Sequence, residues 1–209
     1  MAAGGDGRQG LNLEPVPDGQ EIRGVLFPPG VRLSHVLITG PPGVGKTTLV
    51  RRIGGWHEEG YIDLTRPRWW AAPNLALRPR EIHLGLPFHG AEGALALFDA
   101  EWLEAEPPLE LDSGRLLLPP PKRFFLSVDW RRRFVFDFLL PDPETVLEHR
   151  QKRAAEGTHW VDQGLALERI RAQIRVFEQV ASHLHRNHMR VFVRRDLAAP
   201  PNRIAGEAL

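Results

Sequence analysis

The eight residues Gly40-Pro-Pro-Gly-Val-Gly-Lys46-Thr47 constrain this chain more than any other stretch. They fit the pattern G-x-x-x-x-G-K-[ST], and they stand between the apolar run Val36, Leu37, Ile38 and a helical segment from Lys46 to Ile53 that Gly54 and Gly55 stop. Strand, loop and helix in that order make a phosphate cradle. Glycines let successive backbone N–H groups turn inward around phosphate oxygens, and the start of the helix adds its positive end. Lys46 is then expected at the β and γ phosphates and the Thr47 hydroxyl at Mg²⁺. The expected ligand is a nucleoside triphosphate, held by Gly40, Pro41, Pro42, Gly43, Val44, Gly45, Lys46, Thr47 and Thr48. A glycine-rich turn with an exposed lysine is the competing reading.

Composition narrows what surrounds this loop. The chain has 209 residues, 42% of them apolar, which suits one compact domain with a core of its own. Its 27 Lys and Arg against 26 Asp and Glu leave a net charge of +1, so nothing in the charge balance points to nucleic acid. Without a single cysteine there is no disulfide framework, zinc ribbon or thiolate nucleophile, and any metal must be held by oxygen or imidazole. No apolar run approaches the roughly 18 residues that cross a bilayer, and the first twenty residues lack the apolar centre of a secretory signal. The expectation is a cytoplasmic protein with no membrane partner.

Along the chain, residues 1–20 (rich in glycine, then Pro15 and Pro17) and residues 198–209 read as flexible tails, leaving an ordered body over 21–197. Extended segments are expected at Glu21–Phe27, Val31–Thr39, Phe124–Asp129, Phe134–Leu140 and Val191–Val193. Helices are expected at Lys46–Ile53, Gly93–Glu106, Asp142–Gly157 and Asp162–Met189, the last with Ile170, Ile174, Phe177, Ala181 and Leu184 on one face. Asp142 followed by Pro143 is a helix start, a cap and then a first-turn proline. Prolines interrupt most candidate elements between Tyr61 and Pro121. Strands alternating with helices give an α/β fold, a mainly parallel sheet flanked by helices.

A phosphate loop of this kind needs an acid at the end of an apolar strand to complete the magnesium site. Asp129, closing Phe124-Phe-Leu-Ser-Val-Asp129, is the first candidate and Asp63 the competitor; a turn-capping role for Asp129 is the alternative. Asp137 interrupts the apolar run Phe134–Leu140, so it needs a partner if that strand is buried. Arg150 and Arg153 lie one turn apart on one helix, and Arg169, Arg171 and Arg175 on the next, flanking the polar segment Glu156–Gln163. Two helices with inward arginines make a lid over phosphates; solvated faces pairing with Glu148, Glu156 and Glu168 are the plainer reading. Arg66, Arg68, Arg78 and Arg80 are interleaved with Trp69 and Trp70, a pattern that serves either an acceptor nucleotide or a core cover beneath a proline-rich loop.

The order of these features resembles the nucleoside monophosphate kinases, and most of all guanylate kinase. The likeness is carried by the Gly40–Thr47 loop, by Arg78-Pro-Arg-Glu81-Ile-His-Leu-Gly-Leu-Pro-Phe88, by Leu126-Ser-Val-Asp129-Trp130, by Phe136 to Arg153, and by Val193-Arg-Arg-Asp-Leu197. It implies a P-loop NTPase fold with a core parallel sheet and a helical lid, an acceptor-binding region over Arg66–Phe88 that includes Glu81, and lid arginines at Arg150, Arg153 and one of Arg169 or Arg171. It also implies ATP and Mg²⁺ as cosubstrates. The chain departs from the family where Arg131, Arg132 and Arg133 leave almost no room for a helical connection after Asp129. Pro42 and Thr47 also stand where guanylate kinases usually carry serines.

The reading that follows is an ATP-dependent phosphotransferase, a P-loop kinase acting on a small molecule such as a nucleotide. Lys46, Arg150, Arg153 and Arg169 would stabilise charge on the transferred group. An ATPase or GTPase that drives a protein partner is the alternative, and a kinase-like module without chemistry is a third.

Overall fold

The computed structural model describes residues 10–55, 62–63, 68–71, 78–83, 129–157, 162 and 165–206. The expected helix over 93–106, the strand residues 124–128 and Arg66 lie outside the described residues. In chain order the strands are β1 (Leu13–Pro15), β2 (Gln20–Ile22), β3 (Val25–Phe27), β4 (Val36–Thr39), β5 (Ile62–Asp63), β6 (Arg80–His83), β7 (Val135–Leu139), β8 (Arg190–Arg194) and β9 (Asn202–Ile204). The helices are α1 (Lys46–Arg52), α2 (Trp130–Arg133), α3 (Pro143–Ala155) and α4 (Leu167–Arg186).

Every residue of β4 and β7 is buried, and alternate residues look to opposite faces. Leu37, Phe136 and Phe138 join one core, where Phe177, Val180 and Leu184 of α4 cover them. Val36, Ile38, Val135 and Leu139 join the other, beneath Leu49 and Val50 of α1 and Val25 and Phe27 of β3. Burial on both faces is why these strands read as continuous apolar runs and not as alternation. Ile170, Ile174, Phe177, Ala181 and Leu184 are all buried, as their helical spacing requires. The helix they sit on is shorter at both ends than the expected 162–189. Pro143 occupies the first turn of α3 with Asp142 at its N-cap, although the Asp142 side chain makes no capping hydrogen bond.

The strands form a seven-stranded mixed sheet in the order β1-β9-β8-β7-β4-β6-β5, and β2 pairs with β3 in a separate hairpin. β4 runs parallel to both β6 and β7, as β7 does to β8 and β5 to β6. β9 is antiparallel to both β8 and β1. Two strands fall outside the expected 21–197 body: Leu13–Pro15 and Asn202–Ile204 pair with each other and extend the sheet. Neither segment has enough apolar periodicity to form a strand alone; β8 supplies backbone partners to residues 202–204, which in turn supply them to residues 13–15. After Asp129 the chain finds room for a single helical turn, α2, before β7 begins.

Asp137 has its partner in the neighbouring strand. Arg194, itself fully buried, donates to Asp137 Oδ2 from Nη2 at 2.9 Å and from Nε at 3.3 Å. Its remaining donors reach the carbonyls of Ala199 (2.8 Å) and Leu26 (2.9 Å), and its guanidinium lies 5.3 Å from the centre of the Phe27 ring. One ion pair thus ties β7, β8, the hairpin and the segment after β8 together. Among the described residues no helix is long and apolar enough to cross a membrane.

Candidate functional site

The loop from Gly40 to Gly45 leaves the carboxyl end of β4 and enters α1 at Lys46. Gly40 has φ 146°, and a Cβ there would collide with the carbonyl oxygen of Leu139, so the loop can bend over the end of β7 only with glycine at this position. Gly43 has φ 88°, and a Cβ on it would lie 2.5 Å from Arg150 Cγ and 3.4 Å from an Arg153 Nη. The stem of Arg150 and the guanidinium of Arg153 therefore lie against the loop. Leu197, in the segment after β8, packs beside Gly45.

Lys46 is largely buried, and its ammonium group donates to the Pro41 carbonyl at 2.9 Å while facing Glu81 at 3.8 Å. Burial pushes its pKa down to about 8; Glu81 opposes that shift, and the positive charges of Arg153 and Arg150 reinforce it. Glu81 is itself buried, on the strand beside β4, and accepts from the Thr47 hydroxyl at 3.2 Å. On the other side of the loop, Arg150 donates from Nε to Asp162 at 2.7 Å and from Nη1 to Gln173 at 3.1 Å, and Arg153 also binds Asp162. Burial lowers the pKa of Arg150; the hydrogen bond and charge of Asp162 oppose this, while Arg153 and Arg169 add to it.

Lys46, Thr47, Glu81, Arg150 and Arg153 are thus gathered around one loop, with Arg169 close enough for its charge to reach Arg150. The other expected residues are placed elsewhere. Thr48 is exposed on α1. Arg171 turns outward to Glu144 at 2.8 Å and Glu168 at 2.6 Å, and Arg175 is exposed. Arg68 and Arg78 are exposed, whereas Arg80 is buried in β6. Trp69 is a core residue, 5.3 Å from the Phe134 ring and edge-on to Phe136, with the half-buried Trp70 packed against it.

The acid expected beside the magnesium is corrected most. Asp129 precedes β7, whose first residue aligns with the first of β4, so it stands at the amino edge of the sheet while Thr47 stands at the carboxyl edge. There it accepts the backbone N–H groups of Arg131 and Arg132 at 3.1 and 3.4 Å, the capping role that an aspartate before a helical turn fills. Asp63 is on β5, two strands away from β4. Glu81, expected among the acceptor-binding residues, is the carboxylate that meets Thr47. Its signal in the sequence was an acid in a short run with Ile82, too brief to read as a strand. Asp162 and Gln173 were missed altogether, because only folding brings them to Arg150.

Thr47 and Glu81 offer hard oxygen donors that suit magnesium, whose protein ligands are typically few because substrate phosphates and water complete its shell. Their 3.2 Å separation is close to the roughly 3 Å edge of an octahedron with bonds of about 2.1 Å. No group of three or more His, Asp or Glu residues arranged to enclose a metal exists among the described residues. No family model matches the sequence, and no curated protein or solved structure is detectably similar to it.

Proposed function

We propose that the chain has a P-loop NTPase fold and acts as an ATP-dependent phosphotransferase on a small molecule such as a nucleotide. The observation that carries this reading is the convergence of Lys46, Arg150 and Arg153 on the glycine-rich loop, with Glu81 at Thr47. Two arginines packed on a phosphate-type loop suit charge developing on a transferred phosphoryl group better than they suit a solvated helix face.

In this mechanism the backbone N–H groups of residues 43–47 take the phosphates, and Lys46 leaves the Pro41 carbonyl for the β and γ oxygens. Thr47 and Glu81 would hold magnesium, which when bound would neutralise phosphate charge. In this arrangement Glu81, not Asp129, would complete that site. Arg150 and Arg153 turn part of their donor set from Asp162 to the γ-phosphoryl group, and α3 and α4 act as the helical lid that keeps water out. A phosphate acceptor needs no general base because it is already ionised, so positioning supplies most of the rate.

The test is ATP consumption by the full chain with Mg²⁺, alone and with a panel of nucleoside monophosphates and other small phosphate or hydroxyl acceptors. ADP is expected only with one acceptor, and Lys46→Ala is expected to reduce it at least about 100-fold. ADP formed without any acceptor, and lost in the same variant, replaces the kinase reading with a hydrolase that serves a protein partner.

A further inference from the structure

At the amino ends of β7 and β8, the edge of the sheet opposite the glycine-rich loop, the structure contains a cleft of about 1090 Å³. Its floor is apolar, with Met189, Val191 and Ile204 all buried. Its walls carry four guanidinium groups, Arg131 and Arg132 from α2, Arg190 from the start of β8 and Arg203 from β9, against the carboxylates of Glu14 and Asp129. Both carboxylates are already engaged: Glu14 binds Arg203 at 2.6 Å and Asp129 binds Arg132 at 3.3 Å. Among the described residues, four positive charges less two negative ones leave an excess of two, on Arg131 and Arg190.

Those two side chains are half-buried, so their charge is not simply dispersed into water. Arg131 Nε is shielded from solvent and has no hydrogen-bond partner among the described residues. Burial lowers the pKa of Arg190, with no carboxylate among the described residues offsetting it. Arg190 also adds the smallest of several contributions at the nearby His35. Burial, then the charges of Arg133, Arg32 and Arg190, hold His35 down to about 4. Partly desolvated cations without a counter-charge are costly, and an anion is the natural remedy. Arginine forks match phosphate oxygens in pairs, and the buried Met189 and Val191 offer a surface for something less polar. The volume is that of a small-molecule site and far more than a lone inorganic ion fills.

We propose that this cleft binds a small organic phosphate, with its phosphate group on Arg131 and Arg190 and its apolar body against Met189 and Val191. The cleft shares no residue with the glycine-rich loop, so the two sites are separable by mutation.

The probe is 1-naphthyl phosphate, titrated calorimetrically into the full chain carrying Lys46→Ala, which removes the loop as a competing phosphate site. Binding is expected, and Arg131→Gln and Arg190→Gln are each expected to weaken it about tenfold while Arg131→Lys keeps most of it. Far-ultraviolet circular dichroism identifies any variant that fails to fold. Either glutamine variant alone suffices, because the two side chains meet the same group. Inorganic phosphate, 1-naphthol and 1-naphthoate are each expected to bind at least about tenfold more weakly than the ester. The proposal is overturned if the ester does not bind, if folded Arg131→Gln and Arg190→Gln proteins bind it as well as Lys46→Ala alone, or if 1-naphthoate binds equally. It is also overturned if only an oligonucleotide binds, with a salt dependence spanning several phosphates.

Discussion

The two ends of β4, β7 and β8 handle charge in opposite ways. At the carboxyl ends Lys46 faces Glu81, Arg150 and Arg153 share Asp162, and Arg194 holds Asp137. At the amino ends Arg131 and Arg190 line a cleft with no carboxylates of their own among the described residues, and His35 is kept neutral by burial first and by the arginines around it second. Depth accounts for the contrast. The carboxyl edge is roofed by α1, α3, α4 and the segment after β8, so a cation there must carry its counter-charge inside the protein. The amino edge is less deeply covered, so the half-buried Arg131 and Arg190 can take their counter-charge from outside the protein. An internal counter-charge also has a functional consequence, because a carboxylate that neutralises Lys46 or Arg150 competes with any phosphate arriving at the loop.

The largest effect expected from breaking this contrast is at the buried pair. Asp137→Ala leaves Arg194 charged inside the core and is expected to cost about 3–5 kcal/mol in urea unfolding. The double variant Asp137→Leu with Arg194→Met should recover most of that loss, since apolar side chains replace both charges at once. Gly43→Ala comes next, at about 1–3 kcal/mol, because the alanine would sit at positive φ and press on Arg150 Cγ. Phosphate binding at the loop should fall with it, measured by titration with ATP and Mg²⁺.

The pH dependence sharpens the comparison further. Lys46 titrates near 8 in the folded protein, below its ordinary 10.5, so the unfolded chain binds more protons between those values and this group's contribution to stability rises with pH across that window. Phosphate needs the ammonium form, so ATP affinity should move the other way, falling about tenfold per pH unit above 8. Lys46→Arg, which stays protonated, should flatten that profile. The smallest effect belongs to the amino edge. His35 titrates near 4 instead of 6.5, so stability should decline as pH falls from 6.5 to 4 and level off below. The amount is on the order of 1 kcal/mol once solvent screening is allowed for. His35→Gln keeps an acceptor for Arg133 Nε and should remove the slope in urea midpoints.

Much of the frame was legible from residues alone. The apolar runs of β4 and β7, the spacing along α4 and the Asp142-Pro143 start of α3 each follow from local chemistry, because burial on one or two faces imposes a period that a short window reveals. The same holds for Gly40, Gly43, Lys46 and Thr47, whose order and spacing lie within one turn of backbone. What the sequence could not decide were partnerships between distant segments. Asp137 plainly needed a cation, but Arg194 lies 57 residues away and is chosen by the pairing of β7 with β8. Asp129 reads as a strand-ending acid, yet the parallel register of β4 and β7 carries it to the edge away from Thr47 and hands Glu81 that position. The strands at 13–15 and 202–204 exist only because they meet each other and β8. Local periodicity determined the central strands and the long helix; the register of strands far apart in the chain decided the edge strands and which charges face each other, because a partner is set by distance in space and not by distance along the backbone.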